Sequence, residues 1–113
     1  MPEIKANAGV VTQINVFTML PENQQRIVEI LTEANSSIGE MPGWISASIH
    51  RSLDGTRVVN YVQYESREAW EAVVTKMRAG NQTKMRAGNQ FGKMRDIATA
   101  EPGLYEVVFT LDR

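Results

Sequence analysis

The sequence predicts an α+β fold, because segments typical of strands alternate with segments typical of helices along its 113 residues. Four segments are rich in β-branched and aromatic residues, and two others repeat apolar residues at helical spacing. A turn signal, Asp54-Gly55, joins the second and third strand-like segments directly. The resulting order, βαββαβ, is that of ferredoxin-like folds with a four-stranded antiparallel sheet, and a single domain over residues 1–113 accommodates it.

The first strand and the first helix are predicted from the chain before Gly39. Residues 10–20 are rich in β-branched side chains and end at Pro21, which favours a strand. Residues 22–38 form a helix whose apolar positions recur at helical spacing, namely Ile27, Ile30, Leu31 and Ala34. Pro21 suits the first turn of that helix, and Gly39 suits its exit.

A β-hairpin follows, with residues 44–52 and 56–64 as its strands and Asp54-Gly55 as a two-residue turn. A turn of that length fixes which residues face each other across the two strands. The predicted pairs are Ile49 with Asn60, Ala47 with Val62, and Ile45 with Tyr64.

The second helix begins after Ser66, whose hydroxyl can cap it, and is expected to end near Gly80. Its apolar stripe consists of Trp70, Val73, Val74 and Met77. Pro102-Gly103 is expected to break the chain before a final strand at residues 104–111.

An octapeptide, TKMRAGNQ, occurs twice in succession, at residues 75–82 and 83–90. Eight residues advance a helix by about 80° beyond two full turns, so the two copies cannot present one face of a straight helix. The second copy is either a duplication tolerated in a mobile surface loop or an enlarged lid over a cavity. The region from Lys76 to Arg95 also holds half of the 12 basic residues, which form either a solvated face or an attraction for an anionic ligand.

Composition excludes several classes of protein. The net charge of −1 argues against a nucleic-acid binder, and the absence of cysteine excludes disulfide scaffolds and Cys-ligated metals. His50 is the one histidine, so a two-histidine metal site within a single chain is excluded as well. No apolar run approaches the ~20 residues of a membrane span, and the N-terminus lacks the apolar stretch of a signal peptide, so a cytoplasmic protein is expected.

The sheet is expected to carry a second subunit on one face. Two helices can cover only one face of a four-stranded sheet. The other face, predicted to bear Trp44, Ser48, Tyr61 and Gln63, needs a cover of its own. A second copy of the chain is the simplest cover, which predicts a homodimer.

Two predicted strands each carry an asparagine on a face that is otherwise typical of a core. Asn60 shares its face with Val58, Val62 and Tyr64, because strand side chains alternate. Asn15 lies beside Phe17 on the first strand in the same way. A buried amide needs a hydrogen-bond partner, which is either internal to the protein or a ligand.

Two further side chains have both a structural and a functional interpretation. Trp70 lies early in the second helix, where an aromatic residue belongs either to the core or to the wall of a pocket between helix and sheet. The predicted register points His50 to the opposite face, beside Val59, as a structural or interface histidine.

The segment SASIHRSLDGTRVVNYVQYES at residues 46–66, preceded by MPGW, resembles the antibiotic biosynthesis monooxygenase family. The resemblance covers about residues 10–74 and returns loosely at 104–111. It implies a ferredoxin-like dimer whose two sheets form an α/β barrel. It also implies a monooxygenase that oxidises an anthrone-like or quinol polycyclic aromatic with O2 to a quinone, with no metal and no organic cofactor.

The resemblance also implies which residues act. Asn60, Tyr64 and Trp70 match family positions at the catalytic cavity, and the substrate-binding positions are matched by Asn15, His50 and Arg95. Tyr64 stands where the family typically has tryptophan, so the pocket differs from that of its relatives. A haem-degrading branch of the fold needs a histidine late in the chain, and none follows His50.

A non-catalytic small-molecule-binding or interaction module with the same dimeric fold is the alternative function. Convergence of Asn15, Asn60, Tyr64 and Trp70 on one cavity favours the enzyme. A filled, dry core between sheet and helices favours the binding module.

Overall fold

The computed structural model describes residues 3–6, 8–82 and 94–113. Its elements follow the predicted order, with a short 3-10 turn at Pro21–Asn23 before the first helix. They are β1 (Val11–Met19), α1 (Gln24–Ile38), β2 (Trp44–Arg51), β3 (Arg57–Tyr64), α2 (Arg67–Gln82) and β4 (Ala98–Glu106). The ferredoxin-like α+β prediction is confirmed.

The four strands form one antiparallel sheet in the order β2-β3-β1-β4, with both helices packed on the same face. Under α1, the buried core includes Phe17 from β1 and Val58 from β3. Under α2, a second cluster joins Val62 and Tyr64 to Val73. The alternating valines of β3 therefore serve both clusters, and Asn60 lies between them.

The hairpin confirms the predicted register over most of its length, because Ile49 pairs with Asn60 and Ala47 with Val62. The predicted pairing of Ile45 with Tyr64 is wrong, since a bulge between Trp44 and Ser46 leaves Trp44 opposite Tyr64. The extra residue of a bulge reverses the faces beyond it.

The same bulge corrects the predicted location of Trp44. Its side chain packs on the helix side, against the cluster of Tyr64 and Val73, and not on the open face of the sheet. Burial of the large indole among apolar neighbours explains why the register gives way at this point. Ile45 is instead 42% exposed.

The hairpin loop is longer than the predicted two-residue turn. Ser52 N–H donates to the Arg57 carbonyl at 2.9 Å, so residues 53–56 form the loop. Asp54 Oδ1 accepts hydrogen bonds from the Ser52 hydroxyl and from both the amide and the hydroxyl of Thr56. These donors lower the Asp54 pKa to about 2. Because the loop is longer by one residue on each side, the register is unchanged.

The last strand differs from its prediction. It begins at Ala98 rather than at residue 104, and Pro102-Gly103 lie inside it instead of breaking the chain. The reason is that β4 lies at the edge of the sheet, where among the described residues it pairs with β1 alone. Proline is tolerated there because one side of the strand needs no hydrogen-bond partner. The predicted continuation to residue 111 is wrong as well, since β4 ends at Glu106.

The second helix is capped as predicted, by a hydrogen bond from Ala69 N–H to the Ser66 hydroxyl at 3.1 Å. It runs to Gln82, two residues past the predicted end near Gly80. The second copy of the repeat lies outside the described residues, and so do its predicted mobility and its possible role as a lid. Neither of the helices described here is long and apolar enough to cross a bilayer.

Candidate active site

A cavity of about 380 Å3 lies between the helices and the face of the sheet that they cover. Its floor is formed by β1 and β3, and its walls by α1 and α2. Pro102 of β4 closes one side. This volume lies within the range of roughly 300–1,000 Å3 that is usual for small-molecule sites.

Five of the six predicted site residues line this cavity together, and they are Asn15, Asn60, Tyr64, Trp70 and Arg95. They come from both central strands, from α2 and from the segment before β4. His50 does not join them. It is exposed on the opposite face of the sheet, where its Nε2 lies 2.8 Å from the Ser48 hydroxyl and its ring meets that of Tyr61 edge-on.

Two asparagines form the polar centre of the floor. Asn15 and Asn60 are direct partners across the β1–β3 ladder. Asn60 has an internal hydrogen bond, because Asn35 Nδ2 on α1 donates to its Oδ1 at 3.0 Å. That bond leaves the amide hydrogens of Asn60 free to donate elsewhere. Asn15 Oδ1 is buried and accepts no hydrogen bond from any described residue.

Tyr64 is a neutral wall of the cavity. Its side chain is 2% exposed, and its hydroxyl donates to Gln13 Oε1 at 3.4 Å. Burial disfavours the phenolate and raises the pKa of Tyr64 to about 12. At neutral pH the phenol is therefore protonated, so it can donate a hydrogen bond but cannot act as a base.

The walls toward α2 are apolar and the mouth is cationic. Trp70, Val74 and Met77 present helix side chains to the cavity. Trp70 Nε1 is buried without an acceptor among the described residues. Arg95 is exposed, and it also lines an adjoining depression of about 210 Å3. Among the basic residues that the sequence concentrates near the repeat, Arg95 is one that the structure places at the cavity.

Asn35 and Gln13 are lining residues to which the sequence gave no functional role. A signal for Asn35 was present in the helical pattern. It follows Leu31 by four residues and precedes Ile38 by three, so it belongs to the stripe that faces the sheet. Gln13 shares a strand face with Asn15, which was visible from the alternation of β1.

The described lining of the cavity supplies hydrogen-bond donors and a positive charge, but no carboxylate and no histidine. Such a lining can bind a flat apolar ring system and stabilise a developing oxyanion. Elsewhere in residues 3–6, 8–82 and 94–113, His, Asp and Glu side chains form no cluster of three suited to a metal ion.

Comparison with known proteins gives three kinds of match. The family model for antibiotic biosynthesis monooxygenases matches residues 10–77. The tetracenomycin-F1 monooxygenase of Streptomyces glaucescens is 36% identical over 74 residues, which make up 65% of this chain and 66% of that protein. The match thus spans just under two thirds of that relative.

Solved structures match the fold. SnoaB, a cofactor-independent oxygenase from Streptomyces nogalater, superposes with a TM-score of 0.72 at 20% identity, covering 94% of this chain and 100% of SnoaB. The ActVA-Orf6 monooxygenase of Streptomyces coelicolor, in complex with nanaomycin D, gives 0.71 at 23% identity, covering 94% of this chain and 93% of that one.

Proposed function

The chain belongs to the antibiotic biosynthesis monooxygenase family, and from that premise we propose that it oxidises an anthrone-like or quinol polycyclic aromatic with O2 to a quinone. The reaction as proposed uses no metal and no organic cofactor. The observation that carries the proposal is the convergence of Asn15, Asn60, Tyr64 and Trp70 on one cavity. That convergence favours an enzyme over a binding module with a filled core.

For an anthrone, the proposed reaction converts the ring CH2 and O2 into a ring carbonyl and water. Loss of one C–H proton gives an electron-rich anion, whose electron pair reduces O2 as the C–O bond forms. The resulting peroxide anion takes up a proton. Loss of the second C–H proton then forms the carbonyl while the O–O bond breaks, and the departing hydroxide leaves as water.

The cavity suits the first of these steps, because it can stabilise an anion without supplying a strong base. The amide hydrogens of Asn60 can donate to the oxygen on which the negative charge accumulates. Arg95 adds a positive charge at the mouth. Since the described lining has no carboxylate or histidine, the proton goes to water, and the protein acts by lowering the pKa of the bound substrate.

The apolar walls suit a planar substrate. Trp70 on α2 and Tyr64 on β3 offer aromatic surface, and Met77 is an adaptable apolar neighbour. Holding the ring system between these side chains fixes the reacting carbon relative to Asn60, which is the main task left to a protein whose substrate supplies the electrons.

The homodimer is part of the same proposal. The helices leave one sheet face uncovered, where Ile14, Val16, Val59 and Tyr61 are only half-buried. After β4, the side chains of Val108, Phe109 and Leu111 are 69%, 73% and 84% exposed. A second copy would cover both surfaces, which supports a dimer through the open face.

The test is oxidation of a dihydroxyanthrone, followed by absorbance, in air and under nitrogen. The spontaneous rate without protein is subtracted in each case. We expect the protein to accelerate quinone formation in air and to have no effect under nitrogen. Tight binding of the anthrone without acceleration in air would instead assign a binding module.

A further inference from the structure

We propose that Asn35 is a positioning residue, which holds the carboxamide of Asn60 with its Nδ2 group directed into the cavity. The inference rests on the proposed function, in which Asn60 donates to an oxyanion. It starts from the hydrogen bond in which Asn35 Nδ2 donates to Asn60 Oδ1 at 3.0 Å. The two residues are 25 positions apart and belong to different layers of the fold.

The side chain of Asn60 does not fix the orientation of its own carboxamide. A half-turn of a carboxamide exchanges its oxygen and its NH2 group with little change of shape. Its neighbours along the same face of β3 are Val58 and Val62, which offer no hydrogen bond. Asn15, its partner on β1, leaves its own Oδ1 without a donor. Within the described residues, Asn35 is therefore the one side chain that hydrogen-bonds Asn60, and with its Nδ2 turned toward the sheet it engages Oδ1 of Asn60.

The helix holds Asn35 in place for this task. Leu31, one turn earlier on α1, is fully buried in the core. The next two residues, Ser36 and Ser37, turn their hydroxyls back to carbonyls of their own helix at 2.9 and 3.0 Å. Asn35 does not, and its side chain instead reaches across to the sheet.

Asn35 presents its NH2 group to Asn60 and so selects the catalytic orientation, whereas a side chain that can only accept would select the opposite one. With Asn35 donating, Asn60 Oδ1 is engaged and its Nδ2 remains for the substrate. A carboxylate at position 35 accepts only, so it would draw Nδ2 of Asn60 toward itself and leave Oδ1 facing the oxyanion. A leucine there makes neither bond and leaves Asn60 free to rotate.

These differences predict an unusual ranking of kcat among the variants at position 35. Asn35→Asp has nearly the shape of asparagine, but it should lose about 10²-fold in kcat, as if an oxyanion donor had been removed. Asn35→Leu changes the chemistry more but should lose only about tenfold, because Asn60 can still rotate to meet the substrate. KM should change by less than kcat in both variants, since the bond concerned strengthens in the transition state.

A double-mutant cycle separates positioning from the effect of a new charge. In an Asn60→Ala background, Asn35→Asp should cause a much smaller loss of kcat than it causes alone, because only the effect of the new charge remains and there is no longer a carboxamide to position. Ser37→Asp, an exposed residue of the same turn, is the matched control for a carboxylate at this end of α1 and should keep the wild-type rate. An equally large loss from Asn35→Asp in the Asn60→Ala background, or Asn35→Asp outperforming Asn35→Leu, would overturn the proposal.

A measurement without turnover keeps this inference distinct from the proposed activity. The probe is a hydroxyanthraquinone, whose phenol is titrated by absorbance while bound. Its pKa should lie below the solution value in the wild-type protein and in Ser37→Asp. It should rise in Asn35→Asp by more than the same substitution raises it in an Asn60→Ala background, whether or not any anthrone is oxidised. If the bound probe has the same pKa in the wild type and in Asn35→Asp, Asn35 does not orient Asn60. If the wild-type protein does not bind the probe, the positioning role and the proposed function both fail.

Discussion

Replacing Asn60 by alanine separates a catalytic role from a structural one. The substitution removes the amide hydrogens that can donate into the cavity, and it leaves Asn35 Nδ2 without its acceptor. We expect kcat for a dihydroxyanthrone to fall by about 10²-fold or more, the scale of losing one oxyanion donor. Affinity for the substrate should change less, because the lost interaction belongs mainly to the transition state.

The loss of stability should be small by comparison. Asn35 and Asn60 are both half-buried. Losing the hydrogen bond between them and leaving one donor unpaired should therefore lower the free energy of unfolding by roughly 1 kcal/mol. In a domain of this size that corresponds to a decrease in Tm of about 4–8 °C. The assay is therefore a pair of measurements on one preparation, kcat well below the melting transition and Tm by circular dichroism.

Val58→Ala provides the matched control. Val58 lies two residues away on the same face of β3, is fully buried, and packs in the cluster under α1 rather than lining the cavity. Its truncation should cost roughly 2 kcal/mol and so lower Tm more than Asn60→Ala does. It should leave kcat within about twofold of the wild type, because no donor is lost. A folded Asn60→Ala protein with full activity would refute the catalytic role, and equal losses of kcat in both variants would reduce it to a structural one.

Three further predictions concern the wall, the hairpin entry and the open face. The Tyr64 phenol releases its proton near pH 10 in the unfolded chain and near pH 12 in the folded chain, so the free energy of unfolding should fall between these pH values. Tyr64→Phe should remove this part of the fall in alkaline denaturation curves. Gly43 has a φ of +85°, and an added Cβ would press on Ala69. Gly43→Ala should therefore lower the free energy of unfolding, measured by urea denaturation, by about 1–3 kcal/mol. An unchanged midpoint of the urea transition would contradict this. Light scattering should give a dimer mass, and Tyr61→Asp should shift it toward monomer; a wild-type monomer would disprove the dimer.

The hairpin illustrates how far a local pattern determines a fold. The turn centred on Asp54-Gly55 was sufficient to pair Ile49 with Asn60, because the actual loop extends that turn by one residue on each side. It failed near Ile45, because the bulge that turns Trp44 inward depends on packing against a helix and not on the strand itself. Register can be predicted where a turn joins two strands directly, but the position of a bulge depends on tertiary contacts.

The last strand shows a local signal overridden by its surroundings. Pro102-Gly103 has the composition of a turn, yet both residues pair with β1. The position of β4 at the sheet edge tolerates the proline, and the ring of Tyr105 covers Gly103 so closely that a side chain there would meet it. Edge position could not be known before the strand order was known.

The site was predictable to the extent that it lies on strands. Asn15 and Asn60 stood out because each is an amide on an apolar strand face, and the cavity brings them together. Asn35 was missed although it lies on the sheet-facing stripe of the predicted helix. Its importance follows from a contact between residues 25 positions apart, which helical spacing alone does not specify.

The stoichiometry of the reaction tests the proposed activity most directly. A dihydroxyanthrone is oxidised with isotopically labelled O2 while an electrode follows O2 uptake, with metal chelator present and the spontaneous rate subtracted. We expect one O2 to be consumed per quinone formed, one labelled oxygen in the new carbonyl, no hydrogen peroxide, and a rate that depends on Asn60. Release of peroxide in place of labelled quinone, or acceleration that is lost with chelator, would contradict it.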